Sequence, residues 1–159
     1  YNTNDIIKEK IYKYMGAHEI IKNLWLGNKF TSQNKDFFKK NNIKLVINCT
    51  RHLNFIDTNI YKYRLDVHDN LSNRTHNLIL KNIDNIIELI NKYLKNNKGV
   101  LIHCHAGMQR AATVTACYLM SKFKYNHDEA IKNIRKKRKI AFRPFPNYYH
   151  TLETFYSNL

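Results

Sequence analysis

The residues Leu101 to Arg110, Leu-Ile-His-Cys-His-Ala-Gly-Met-Gln-Arg, end a short apolar run in a cysteine and set an arginine six positions after it. A thiolate and a planar guanidinium at that spacing can act on one anion. Gly99 closes the polar stretch before them, so the pattern predicts a strand over Val100–His103, a tight loop over Cys104–Gln109 and a helix from Arg110 onward. A strand, a glycine-containing loop and a helix N-terminus form an anion cradle, because successive loop N–H groups and the helix dipole converge on one spot. Donors that hold a phosphate also stabilise a thiolate, which makes Cys104 the candidate nucleophile. The guanidinium of Arg110 can grip two phosphoryl oxygens and neutralise charge during transfer. The rest of the substrate lining would be the loop itself, His105, Ala106, Gly107, Met108 and Gln109.

The elements that must position this loop follow from periodicity. Asn4–Met15 carries Ile7, Ile11 and Met15 at helical spacing, which predicts an N-terminal helical extension over residues 1–18, able to pack on the domain or reach a second copy. Glu19–Ile21 and Leu24–Leu26 read as short strands around a turn, Ser32–Asn41 as a short helix, and Leu45–Ile47 and Tyr61–Leu65 as further strands. Arg74–Leu94 is the longest helix, with Ile79, Ile83, Ile86, Ile87, Ile90 and Leu94 on one apolar stripe. After the loop, the helix continues through Ala111–Phe123. Asn126 with Glu129 has the form of a capping box opening another helix, and Asn147 is placed to cap a last helix through Phe155. Strands alternating with helices imply a single α/β domain, 19–159, with a twisted, mostly parallel sheet flanked by helices. The basic run Arg135–Lys139 is expected to be a solvated helix face.

A chain of 159 residues can bury one core without disulfides or metal. Its three cysteines, Cys49, Cys104 and Cys117, cannot all pair and lack metal-ligand spacing, which suggests a reducing, intracellular setting, cytoplasmic or nuclear, and no metal or cofactor. No apolar run approaches the roughly 18 residues of a membrane span, and no signal peptide is expected. With 27 Lys and Arg against 12 acids the net charge is +15, which would attract phosphorylated proteins, RNA or anionic lipid.

His103-Cys104-His105-Ala106-Gly107-Met108-Gln109-Arg110 resembles the signature of the cysteine-dependent protein tyrosine phosphatase superfamily. Ala112-Thr113-Val114 to Tyr118-Leu119-Met120, Leu24-Trp25-Leu26-Gly27 and Pro146-Asn147 resemble the dual-specificity phosphatases within it, and the similarity spans about residues 19 to 157. The resemblance implies hydrolysis of phosphotyrosine and of phosphoserine or phosphothreonine through a phosphocysteine, without metal. It also implies a leaving-group acid in the loop before the long helix. Asp66 and Asp69 both lie there, and Asp69 occupies the family's place. By the same resemblance His103 orients the loop and supports the thiolate through a hydrogen bond, and a cysteine in the region of Cys49 is in some relatives a redox partner of the nucleophile. One departure stands out: the family usually carries Ser or Thr directly after the arginine, where this chain has Ala111. The alternatives are an RNA 5′-phosphatase or phosphoinositide phosphatase on the same fold, or a phosphoprotein-binding module with weak catalysis. Both a monomer and a homodimer through the N-terminal helix are open.

Overall fold

Residues 2–4, 6, 7 and 16–159 are described by the computed structural model. Of the expected N-terminal helix, Ile11 and Met15 lie outside the described residues. Ala17 and His18, the end of the expected extension, belong to the first strand.

Five strands form one sheet among the described residues: β1 (Ala17–Ile21), β2 (Leu24–Gly27), β3 (Ile43–Asn48), β4 (Tyr61–Arg64) and β5 (Gly99–His103). Their order is β1-β2-β5-β3-β4; β1 and β2 pair antiparallel and every other pair is parallel. The mostly parallel α/β sheet expected from the alternation is therefore present. Strand β5 lies between β2 and β3, so Val100, Leu101 and Ile102 are all buried, and a strand covered on both faces reads as an unbroken apolar run.

The helices are α1 (Lys35–Lys40), α2 (Asn73–Lys95), α3 (Arg110–Phe123), α4 (His127–Lys137) and α5 (Tyr149–Ser157). Leu26, Leu45, Ile47 and Ile102 pack with the stripe Ile79, Ile83, Ile86 and Ile90 of α2 and with the apolar residues of α3 to α5. Alternate strand residues, Val46 and Leu101, turn to the other face, which Phe38 of α1, Ile56 and the edge of Trp25 cover. The strand period of two and the helix period of 3.6 thus each place one apolar set inward. Asn126 and Glu129 make the expected capping box at the start of α4.

Three local expectations are corrected. The helix expected over Ser32–Asn41 is divided into a 3-10 turn, Thr31–Gln33, and α1, because the Asn34 side chain accepts from the Phe37 N–H and opens a new helix there. Helix α5 starts at Tyr149 with Tyr148 at its N-cap, and the Asn147 N–H instead donates to Gln109 Oε1 at 2.9 Å. The basic run is not a uniformly solvated face. Helix α4 ends at Lys137, and Arg138 adopts extended backbone angles that carry its side chain out of the helical pattern into full burial. Lys136, Lys137 and Lys139 do face solvent, whereas Arg135 donates to the Ala141 and Phe142 carbonyls at 3.0 and 2.9 Å.

Candidate active site

The loop Cys104–Gln109 leaves the end of β5 and enters α3, and its shape is set by where its carbonyls go. The Cys104 carbonyl accepts from His103 Nδ1 at 3.3 Å, and that of His105 from the Lys29 N–H at 3.0 Å. Arg138 then donates through Nη2 to the Ala106 carbonyl at 3.0 Å and through Nε to the Gly107 carbonyl at 2.9 Å. The Met108 carbonyl accepts from the Phe142 N–H at 2.7 Å, and the Gln109 carbonyl from both the N–H and the hydroxyl of Thr113, each at 2.8 Å. Every carbonyl from 104 to 109 is thus held by a protein donor. In a planar trans peptide the N–H points opposite to the C=O of the same unit, so the N–H groups of His105 to Arg110 turn the other way, toward the concave side of the loop. The loop thus has the form expected of an anion cradle, with its carbonyls already fixed by protein donors.

One position in the loop tolerates no ordinary substitution. Gly107 has φ +69°, and a Cβ there would lie 2.4 Å from the Gly27 carbonyl oxygen. His103 is buried, and burial depresses its pKa to about 4, so the ring is neutral near pH 7. Since a carbonyl can only accept, Nδ1 is the nitrogen that bears the proton. The contact made is to the Cys104 carbonyl, so His103 orients the loop from its backbone.

Cys104, buried at the head of the loop, opens with Asp69, His105, Met108, Arg110 and Asn147 onto one cavity of about 350 Å³. Arg110 is nearly buried; its Nη1 donates to the Val67 carbonyl at 3.2 Å, while its Nε is buried with no hydrogen-bond partner among the described residues. A buried guanidinium N–H without a partner is costly unless an anion meets it. The two acids of the preceding loop are separated plainly: Asp69 lines the cavity, whereas Asp66 is paired with Arg51 at 2.9 Å, which holds its carboxyl below the usual carboxylate range. A larger cleft, about 590 Å³, is lined by Lys22, Lys95 and Lys122 among others and excludes all of these residues.

The expected loop residues are brought together, but the sequence reading missed what braces them. Gln109 lines the same cavity, and its side chain also braces the segment beyond it: its Nε2 donates to the Arg143 and Phe145 carbonyls, both at 3.0 Å, and its Oε1 holds the Asn147 N–H. Arg138 also meets His18 Nδ1 at 2.8 Å, and burial lowers its pKa to about 10. It remains a cation well above neutral pH. Ala111 is fully buried in the first turn of α3, and the Thr113 hydroxyl is committed to the Gln109 carbonyl.

A parallel-sheet domain that sets a cysteine at the head of a preformed anion loop has the architecture of a cysteine-dependent phosphatase. The family described as dual specificity phosphatase, catalytic domain, matches residues 24–158, and the chain belongs to it. It is 36% identical over 138 residues to AMV078 of Amsacta moorei entomopoxvirus, whose name places it among tyrosine-protein phosphatases, covering 84% of this chain and 79% of that one. With human dual specificity protein phosphatase 9 it shares 32% identity over 123 residues, 76% of this chain but only 31% of that protein. The crystal structure of DUSP15 superposes with a TM-score of 0.79 at 25% identity, covering 88% of this chain and 86% of that one. Among the described residues, no helix is long and apolar enough to cross a membrane.

Proposed function

We propose that the protein hydrolyses phosphotyrosine and phosphoserine or phosphothreonine in phosphorylated proteins, with Cys104 as nucleophile, Arg110 and the N–H groups of His105 to Arg110 as the phosphoryl clamp, and Asp69 as acid and then base. The observation that carries this reading is the single cavity shared by Cys104, Arg110 and Asp69 above a loop whose carbonyls are all turned outward. The Cys104 sulfur attacks phosphorus as the bond to the leaving oxygen breaks, and Asp69 supplies that oxygen with its proton. Water then attacks the phosphocysteine, Asp69 takes the water's proton, and the thiolate departs. The clamp acts most strongly on the equatorial oxygens while charge spreads over them. A net charge of +15 favours anionic substrates in general. A panel of mono- and diphosphorylated peptides assayed beside triphosphorylated RNA and phosphoinositide vesicles tests the substrate class. Peptide hydrolysis is the expected result, and turnover of RNA or lipid alone would overturn it.

The second half of that cycle should be the slow one. A hydroxyl at position 111 would hydrogen-bond the departing sulfur, and Ala111 has none, while the Thr113 hydroxyl is already given to a carbonyl. Aryl phosphate should therefore release product in a burst followed by slow turnover. Ala111→Ser is expected to raise the slow phase about tenfold, the worth of one hydrogen bond to a charged group, and leave the burst rate unchanged. Stopped-flow traces without a burst, together with an unchanged steady state in the variant, would show that the hydroxyl is dispensable.

We also propose Cys49 as the redox partner of Cys104. Asn48 pairs with His103 across β3 and β5, and the Cys49 N–H donates to the His103 carbonyl at 2.8 Å, so each cysteine follows a registered pair on adjoining strands. Burial, reinforced by the neighbouring Cys104, pushes the Cys49 thiol well above its ordinary range, so it stays protonated while Cys104 is reduced. Peroxide takes two electrons from the Cys104 sulfur to give a sulfenic acid, and Cys49 then displaces water from it as the disulfide forms. Mass spectrometry after mild peroxide should find the Cys49–Cys104 bond and its reversal by thiol. Free Cys49 beside sulfinic Cys104 would exclude it.

A further inference from the structure

Tyr148 carries a phenol that none of the steps above uses. It stands at the N-cap of α5 with 4% of its surface exposed, and its hydroxyl lies 3.2 Å from the His68 carbonyl and 3.3 Å from Asp69 Oδ1. Burial and then the adjacent Asp69 carboxylate raise the phenol's pKa, so it keeps its proton throughout the neutral range. A phenol has one O–H to donate, and here two acceptors face it.

Its position is fixed from the anion loop itself. The Gln109 side chain grips the Arg143 and Phe145 carbonyls and the Asn147 N–H, and Tyr148 is the next residue. On the other side, Arg110 Nη1 holds the Val67 carbonyl. The segment carrying Asp69 is therefore tied to the phosphate loop twice, directly through Arg110 and through the strut Gln109–Asn147–Tyr148.

We propose that Tyr148 is a positioning residue for Asp69, setting the carboxyl over the cavity and donating its O–H to that carboxyl as the Asp69 proton leaves. This rests on Asp69 being the leaving-group acid. With Asp69 protonated, its own O–H is directed at the leaving oxygen and the phenol donates to the His68 carbonyl. As the phosphorus–oxygen bond breaks, the proton passes from Asp69 to that oxygen and negative charge appears on the carboxylate. The phenol O–H then turns to Oδ1, and Tyr148 itself gives up no proton. The contact is stronger in the transition state than in the bound ground state, which is the condition for raising the rate of the chemical step.

The test is kcat/KM for a series of aryl phosphates running from nitrophenol to phenol as leaving group, in wild type, Tyr148→Phe, Asp69→Asn and the double variant. A good leaving group needs little proton help. Tyr148→Phe is expected to lose about tenfold on phenyl phosphate, the scale of one hydrogen bond to a charged group, and less than about twofold on nitrophenyl phosphate, with phosphate affinity unchanged. It should cost nothing further in the Asp69→Asn background, and 3-fluorotyrosine at position 148 should restore the phenyl phosphate rate. An equal loss across the series, or a full extra loss in the double variant, would make the role merely structural and overturn the proposal. A series that Tyr148→Phe leaves untouched while Asp69→Asn steepens it would overturn the proposal and leave the acid assignment standing. A series that Asp69→Asn does not steepen would remove that assignment, and the role of Tyr148 with it.

Discussion

Cys104→Ser should reduce turnover of any aryl phosphate by about 10⁵-fold or more, the scale on which removal of a covalent nucleophile acts, while inorganic phosphate still binds. A serine hydroxyl is far less acidic than a thiol and would need a well-placed base to become a nucleophile. His103, directly before it, cannot serve, because its Nδ1 carries a proton given to the Cys104 carbonyl and its Nε2 is buried with no hydrogen-bond partner among the described residues. The cradle, in contrast, does not depend on the sulfur. Its N–H groups are aimed by carbonyls fixed to Lys29, Arg138, Phe142 and Thr113, and all of these anchors survive the substitution. Steady-state rates paired with phosphate titration by calorimetry check both halves. Turnover near the wild-type rate would move the nucleophile elsewhere, and loss of phosphate binding would show that the sulfur helps shape the cradle.

How far the site was legible follows from the sequence distance over which each part is built. Strand β5, the loop and the start of α3 are one continuous stretch, and an apolar run, a glycine and a helix-forming segment in that order are local signals. The stripe of isoleucines on α2 is equally local, since the helix period places Ile79, Ile83, Ile86 and Ile90 on one side without reference to anything else. The braces are different. Arg138 reaches carbonyls 31 and 32 positions earlier, and Tyr148 reaches Asp69 across 79. Nothing near Arg138 distinguishes it from the lysines beside it, because its inward turn depends on α4 ending at Lys137, before the charge run does. The Gln109 amide likewise gave no local sign that it would bind the Arg143–Asn147 segment.

Asp66 and Asp69 posed the same difficulty at short range, and their separation gives the second large effect. Asp69→Asn is expected to lower turnover of phenyl phosphate at least about 10²-fold near neutral pH, within the usual contribution of a general acid, and Asp66→Asn to leave it within about twofold. An amide keeps the shape of the Asp69 side chain and its place on the cavity wall but has no proton of suitable acidity to give the leaving oxygen. The loss should shrink as the leaving group improves, since nitrophenolate departs without a proton. Asp66 sits outside the cavity lining, half-exposed and bonded to Arg51, so its removal frees a surface arginine and leaves the Cys104, Arg110 and Asp69 arrangement as it was. Rates for both variants on the same two substrates decide between them. If Asp66→Asn carries the leaving-group-dependent loss and Asp69→Asn does not, then the loop reorganises on binding substrate and the proton comes from Asp66.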